Sequence, residues 1–313
     1  MKRLLRPSDI PESIWEPESE VVNLPEALRN AYAELLAKYN LLQVARTQSE
    51  FKGEKGGRDK KSTEYHFATK FQNSSGRVLL TATDPKGSLQ NASDLTLRAF
   101  AGGQVGLLDI PSGSGAATVA LLTTIAELRE NHIVPSEPLT VHVVFGDASS
   151  HALEIARELL ALVQSDLERQ AIFVQARYVE WDVTNAEETT AIIHEWVTHA
   201  QDCCRYFVLM ANFSGFLGKS GKFKKAKPQL GEVFRWASQR SSTIVWLEPQ
   251  VNEATNTLFP KVIEWLSKVT PSVFVLLWHR SKVKLFASCK LRDSILETTP
   301  WIHVCLLRLE PKK

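Results

Sequence analysis

From Val105 onward, short apolar runs alternate with helical segments, and this rhythm constrains the fold more than any other feature of the chain. The apolar runs fall at 105–110, 139–145, 172–179, 206–211, 243–247, 273–278 and 302–309. Helical patterns fall at 116–130, 150–165, 186–200, 231–239 and 257–268. Strands that are apolar at nearly every position are buried on both faces. Helices alternating with them are the crossovers of a parallel sheet. The expected fold is α/β, with a seven-stranded, mostly parallel, doubly wound sheet. Residues 281–301 show little helix, with 284–287 partly extended. The last two strands should therefore close as a hairpin-like pair that leaves one strand antiparallel near the C-terminus.

The first hundred residues read differently. Residues 1–23 are rich in Pro and Glu and form an irregular arm. Pro25 then starts a helix with Leu28, Leu35, Leu36, Tyr39 and Leu42 on one face. Residues 49–63 read as a basic loop, and 64–80 as an amphipathic helix. Phe67, Phe71, Ser74 and Val78 share one face of that helix, and His66, Lys70, Asn73 and Arg77 share another. The polar stripe is either a lid over a site or an ordinary solvated face. A further short helix is expected at 92–100. This divides the chain into a mostly helical N-terminal extension, 1–100, and an α/β domain, 101–313.

A chain of 313 residues buries enough core to need no disulfide staples. Its four cysteines (Cys203, Cys204, Cys289, Cys305) have no metal-ligand spacing, so thiols in a reduced, cytoplasmic setting and no metal are expected. No apolar leader follows Met1–Arg6, and no apolar run is long enough to span a bilayer. A net charge of +2 does not by itself imply nucleic acid. The charge is concentrated, however, in Lys52, Lys55, Arg58, Lys60 and Lys61, and again in Lys219, Lys222, Lys224, Lys225 and Lys227. Either cluster is a solvated loop or a surface for a polyanion.

In an open α/β sheet, ligands sit at the carboxyl ends of the strands. The first run ends in Asp109, followed by Ile110, Pro111, Ser112, Gly113, Ser114 and Gly115 and then a helix. Such a turn lets a ligand approach the backbone, and the first helical N–H groups favour polar or anionic oxygens; the bland reading is a tight turn. The later ends supply Asp147 and Ala148, then Trp181 and Asp182, then Asn212, Phe213 and Ser214, then Glu248, Pro249 and Gln250.

In this ordered set the chain resembles the Rossmann-like (class I) S-adenosylmethionine-dependent methyltransferases, over roughly residues 100 to 313. Their first motif reads acid, apolar, Gly-x-Gly-x-Gly, and here it runs from Asp109 to Gly115. Their second and third strands end in acids, matched by Asp147 and Asp182, and their fourth motif often starts with Asp or Asn, matched by Asn212. Their seven-stranded sheet ends in an antiparallel insertion. The resemblance implies S-adenosylmethionine as cofactor. Pro111, Ser112, Gly113 and Gly115 would face its methionine part, with Asp109 ordering the amino group. Asp147, with Ala148 beside it, would hold the ribose hydroxyls, or else only cap the next helix. Asp182 would accept from the adenine amine and Trp181 would flank the ring. Asn212 and Phe213 would border the transfer point, and His66 would handle protons. Two features depart from the pattern. Pro111 replaces the first glycine, and the long first helix puts Asp147 far from the turn.

Rival chemistries lack their residues. A nicotinamide fingerprint needs a third glycine where Thr118 stands. No catalytic triad, HExxH or phosphate-binding Gly-x-x-x-x-Gly-Lys is present. The fourth motif is Asn-Phe-Ser-Gly rather than the Asn/Asp-Pro-Pro-Tyr of exocyclic-amine methyltransferases. The expected activity is methyl transfer, with RNA the preferred acceptor through Lys219, Lys222, Lys224, Lys225 and the 52–61 loop. A small-molecule or protein acceptor stays open, as does a catalytically inactive subunit that keeps the fold.

Overall fold

The structure is a computed structural model. It describes residues 3–47, 58–89, 92–218, 221–240, 242–249, 261–262, 264–265 and 285–309. A 3-10 turn at Pro7–Asp9 leads into two short strands, β1 (Trp15–Glu16) and β2 (Val21–Val22). Four helices follow: α1 (Glu26–Lys38), α2 (Leu42–Thr47), α3 (Lys60–Thr83) and α4 (Ala92–Ala99). Strands and helices then alternate as β3 (Gly103–Asp109), α5 (Ala116–Glu130), β4 (Leu139–Asp147), α6 (Ser150–Arg169), β5 (Ile172–Glu180), α7 (Ala186–His199) and β6 (Arg205–Ala211). Last come α8 (Ser214–Leu217), α9 (Lys222–Gln239), β7 (Thr243–Glu248), β8 (Leu285–Leu291) and β9 (Trp301–Leu309).

The strands form one mixed sheet in the order β1-β2-β8-β9-β7-β6-β3-β4-β5. β9 runs antiparallel to both β7 and β8, and β1 antiparallel to β2. The remaining neighbours pair in parallel. Alternate strand residues face two cores, as the period of two requires. Leu107, Val143 and Leu209 pack with Val119, Leu122 and Leu159 on one face. Leu108, Val144 and Val208 pack with Ile192, Trp196 and Phe234 on the other.

Among the described residues the sheet has nine strands, not the seven expected. The extra pair comes from the N-terminal arm read as irregular. Two residues per strand are too few to show a period, and β2 exists because the edge of β8 is there to pair with. The expected strand at 273–278 and most of the helix at 257–268 lie outside the described residues. The partner of β9 is instead Leu285–Leu291, within the stretch read as showing little helix, and it extends the partly extended 284–287 to a full strand.

The N-terminal helices share the core of the sheet rather than forming one of their own. Tyr32 of α1 stacks on Phe71 of α3 at 4.7 Å and meets Phe67 edge-on at 5.2 Å. Its hydroxyl donates to Ala68 O at 2.7 Å. These rings belong to the same buried cluster as Leu121 and Leu122 of α5. Asp59 caps α3 by accepting from Ser62 N at 2.9 Å, so the helix starts four residues before the expected boundary. Gly76, the glycine inside α3, sits against the sheet. A Cβ there would meet Leu291 at 3.0 Å and Ile302 at 3.1 Å, so the missing side chain lets the helix lie close on β8 and β9.

Candidate functional site

Strand ends and α3 enclose a cavity of about 380 Å³, within the range of small-molecule sites. Its floor is the turn after β3 together with the carboxyl ends of β4, β5 and β6. Of the residues singled out above, Pro111, Ser112, Gly113, Asp147, Ala148, Trp181, Asp182, Asn212, Phe213 and His66 all line it. Asp109 and Gly115 do not. They stand behind the turn and shape it.

The turn is built by backbone bonds. Ser112 N donates to Gly146 O at 2.8 Å, and Gly115 N to Ser112 O at 2.9 Å. Gly115 takes φ +77 and would carry its Cβ to 3.1 Å from Ala156, so it serves the packing of α5 on α6. At Gly113 the same position is open, with nothing within 4 Å. Asp109 is fully buried and accepts from Thr118 Oγ1 at 2.7 Å. Its Oδ1 has no hydrogen-bond partner among the described residues. Burial pushes its carboxyl up to about 7, the Thr118 bonds acting the other way.

Asp147 grips the turn rather than standing clear of it. Its Oδ2 accepts from Gly113 N at 2.8 Å and its Oδ1 from Ser149 N at 2.9 Å. The cap of α6 is Ser149, whose hydroxyl accepts from Ala152 N, so the capping alternative for Asp147 does not hold. Burial raises the Asp147 carboxyl against these bonds. Asp182 bonds Thr184 N and Thr184 Oγ1, each at 2.9 Å, and its Oδ2 pairs with the Arg58 guanidinium. Burial pushes Asp182 up, but the Thr184 bonds and Arg58 outweigh it and hold the carboxyl below its usual range. Trp181 is buried and donates to Thr189 Oγ1 at 3.1 Å, so it forms the wall under Asp182.

After β6 the backbone turns sharply. Asn212 takes φ +57, a left-handed conformation uncommon outside glycine, and its side chain fixes it there. Asn212 Oδ1 accepts from Arg77 Nη1 at 3.0 Å, and Nδ2 donates to Ser74 Oγ at 3.0 Å. Both polar ends of the expected transfer-point residue are thus held by α3. Phe213 is buried, with its ring stacked 5.8 Å from Phe216 and tilted toward Trp181 and Trp246.

Glu248, singled out above only for its place at a strand end, organises this corner. It is fully buried and accepts from Phe213 N, Ser214 N and Ser214 Oγ at 2.7 Å and from Trp246 Nε1 at 2.6 Å. Burial raises its carboxyl, and those four donors offset part of the cost. An acid ending an otherwise apolar strand was the available signal.

The polar stripe of α3 proves to be a cavity wall. His66, Lys70 and Arg77 line the cavity, while Asn73 does not. His66 is exposed at the mouth, where the protein around it, then the Lys70 charge, hold its imidazole below the ordinary value. The second basic cluster is not a loop. Lys222, Lys224, Lys225 and Lys227 lie in the first turns of α9, which starts nine residues ahead of expectation and carries Pro228 inside it. Lys222 sits 4.9 Å over Phe216 and Lys227 4.9 Å over Phe223, while Lys224 and Lys225 are exposed. Lys52, Lys55 and Lys219 lie outside the described residues.

The fold and site define an α/β protein with a cavity at the carboxyl ends of a mostly parallel sheet. No protein-family model matches the chain, and no curated protein matches it. Among the described residues no cluster of His, Cys, Asp or Glu could hold a metal ion, and no helix is long and apolar enough to cross a membrane. No disulfide joins the four cysteines.

Proposed function

We propose that this chain is an S-adenosylmethionine-dependent methyltransferase of the Rossmann-like class. The observation that carries the reading is convergence. The glycine turn, Asp147, Asp182 and Asn212 come from four separate strand ends, in the order the resemblance requires, and line one cavity. On this reading β3 to β9 are the seven-stranded unit, and β9 is its antiparallel insertion.

The residues present suit the cofactor. The open position at Gly113 is a cradle that any side chain would fill. Asp147 accepts one backbone bond on each oxygen and keeps further lone pairs for ribose hydroxyls. Asp182, held ionised, suits the adenine amine. When bound, the cofactor supplies a methyl group already activated on a sulfonium. The chain's own work is placement, so orientation rather than a dedicated base carries the acceleration. Phe213 and Phe216 offer an apolar wall beside Asn212. His66 stands at the mouth with its imidazole held below the ordinary value, which weakens it as a base and leaves placement to carry the step.

A second reading, a binding subunit without catalysis, draws on one observation: both polar ends of Asn212 are committed to α3. Calorimetry with S-adenosylmethionine and S-adenosylhomocysteine tests the first reading, and failure of both to bind ends it. Tritium transfer from the labelled cofactor into RNA, protein and metabolite extracts separates the two. Binding without label in any pool favours the second.

A further inference from the structure

Arg77 carries more hydrogen-bonding capacity than its surroundings use. Its Nε donates to His303 O at 3.1 Å and its Nη1 to Asn212 Oδ1 at 3.0 Å. Nη2 makes no hydrogen bond among the described residues, and no carboxylate pairs with the guanidinium there. The side chain is half-buried and lines the cavity. Glu248 acts on it electrostatically, but the four donors already on Glu248 occupy both of its oxygens.

A half-buried guanidinium with no carboxylate in hydrogen-bond contact, only the Coulombic pull of Glu248, is costly, and sites keep such a charge where a ligand brings the anion. The remaining nitrogen, Nη2, can give a charge-assisted bond to a carboxylate or phosphate oxygen. Lys70, two turns earlier on the same helix, adds a second cation to the same wall. The location separates this wall from the adenine end. Arg77 lies roughly 26 Å along α3 from Lys60, at 1.5 Å per residue. Arg58, beside Lys60, holds Asp182, whereas Arg77 holds the ends of β6 and β9.

We propose that Arg77, supported by Lys70, seats the carboxylate or phosphate of a small acidic acceptor, whose apolar body lies against Phe213 and Phe216. The word acceptor rests on the methyltransferase reading; the seat is a property of the cavity. A small acid is favoured over RNA because Arg77 is half-buried and has one nitrogen to offer. Nucleic-acid phosphates are met by arrays of exposed cations; this wall offers Lys70 alone as an exposed cation, and the exposed Lys224 and Lys225 lie outside it.

The test is calorimetric titration of the full chain, saturated with S-adenosylhomocysteine, with benzoate, phenyl phosphate, uncharged benzamide and a short oligouridylate. One of the two anions should bind at least about tenfold tighter than benzamide, the worth of one charge-assisted bond. Arg77→Gln should weaken that anion by about tenfold or more, and Lys70→Gln by a smaller factor. Lys70→Gln guards against a folding defect in Arg77→Gln. Equal binding of the anions and benzamide, no binding of either anion, or full anion affinity in both variants overturns the proposal. Tight oligouridylate binding without small-anion binding overturns it in favour of RNA. If Arg77→Gln weakens S-adenosylhomocysteine but not 5′-methylthioadenosine, the seat belongs to the cofactor's own carboxylate, and the proposal also falls. If the unmodified chain does not bind S-adenosylhomocysteine at all, the methyltransferase reading fails instead. The anion titration of the unliganded chain then still judges Arg77.

Discussion

The Gly113 amide donates to Asp147 Oδ2 at 2.8 Å, so the acid that ends β4 is tied to the turn that follows β3. These residues are far apart in sequence, one in the turn after β3 and one at the end of its neighbour β4. The bond fixes the width of the crevice between them. Asp147→Asn keeps one acceptor and turns an N–H donor toward a second backbone N–H. The variant should lose about 1–3 kcal/mol of stability, the cost of an unmet partly buried donor. It should also bind S-adenosylhomocysteine more weakly. Urea unfolding and calorimetry read the two effects separately. A stability loss with unchanged affinity would leave Asp147 with the cross-link alone.

Glu248 holds the Phe213–Ser214 backbone by two N–H bonds and adds Ser214 Oγ and Trp246 Nε1. Glu248→Gln can keep the three donors on one oxygen, but it loses the charge they point at and turns its amide toward Ser214 Oγ, which must then accept instead of donate. The expected cost is on the order of 3 kcal/mol, since hydrogen bonds to a buried charge are among the stronger ones. Chemical denaturation measures it, and a change below about 1 kcal/mol would show the corner to be held by its aromatic packing instead.

Arg58 and Asp182 form an ion pair whose arginine side chain is 59% exposed. Exposed pairs contribute little, so Arg58→Ala should change stability by less than about 1 kcal/mol. Its effect on binding should be larger in proportion. Freed of Arg58, Asp182 has Oδ2 open for an adenine amine, and adenosyl ligands should bind severalfold tighter. Weaker binding would mean that Arg58 is a wall of the site rather than a competitor for it.

Asp109 gives a pH dependence of definite sign. Its folded carboxyl is raised to about 7 by burial, against an ordinary value of 3.8. Between these values the native state holds a proton that the unfolded chain has released. The stability contribution is therefore complete below about pH 4 and is lost as pH rises toward 7. The slope is at most about 1.4 kcal/mol per pH unit. Asp109→Asn still accepts from Thr118 and carries no titrating proton. Its unfolding free energy should be flatter than that of the parent across that window, as denaturant titrations at a series of pH values would show.

Much of the α/β core could be read directly. The runs at 105–110, 139–145, 206–211 and 243–247 became strands because a residue buried on both sides of a sheet must be apolar whatever its partners are, while 172–179 became the edge strand β5, exposed at alternate residues. The acids at strand ends were equally visible, since a charge closing an apolar run has to meet either solvent or a partner. The two-residue strands β1 and β2 were invisible, because they exist through pairing with β8 and have no period of their own. The helical start of α9 was hidden by Pro228 and its lysines, which read locally as a loop.

What the sequence determined by itself was a layered sheet with a glycine turn and acids at its strand ends, because burial and periodicity are properties of each segment alone. Which of those groups meet was decided only in three dimensions. Asp109 turned inward to Thr118, Asp147 reached across to Gly113, and α3 brought Arg77 onto Asn212. A hydrogen bond needs its partners within about 3 Å, and no local pattern reports which distant residue arrives at that distance.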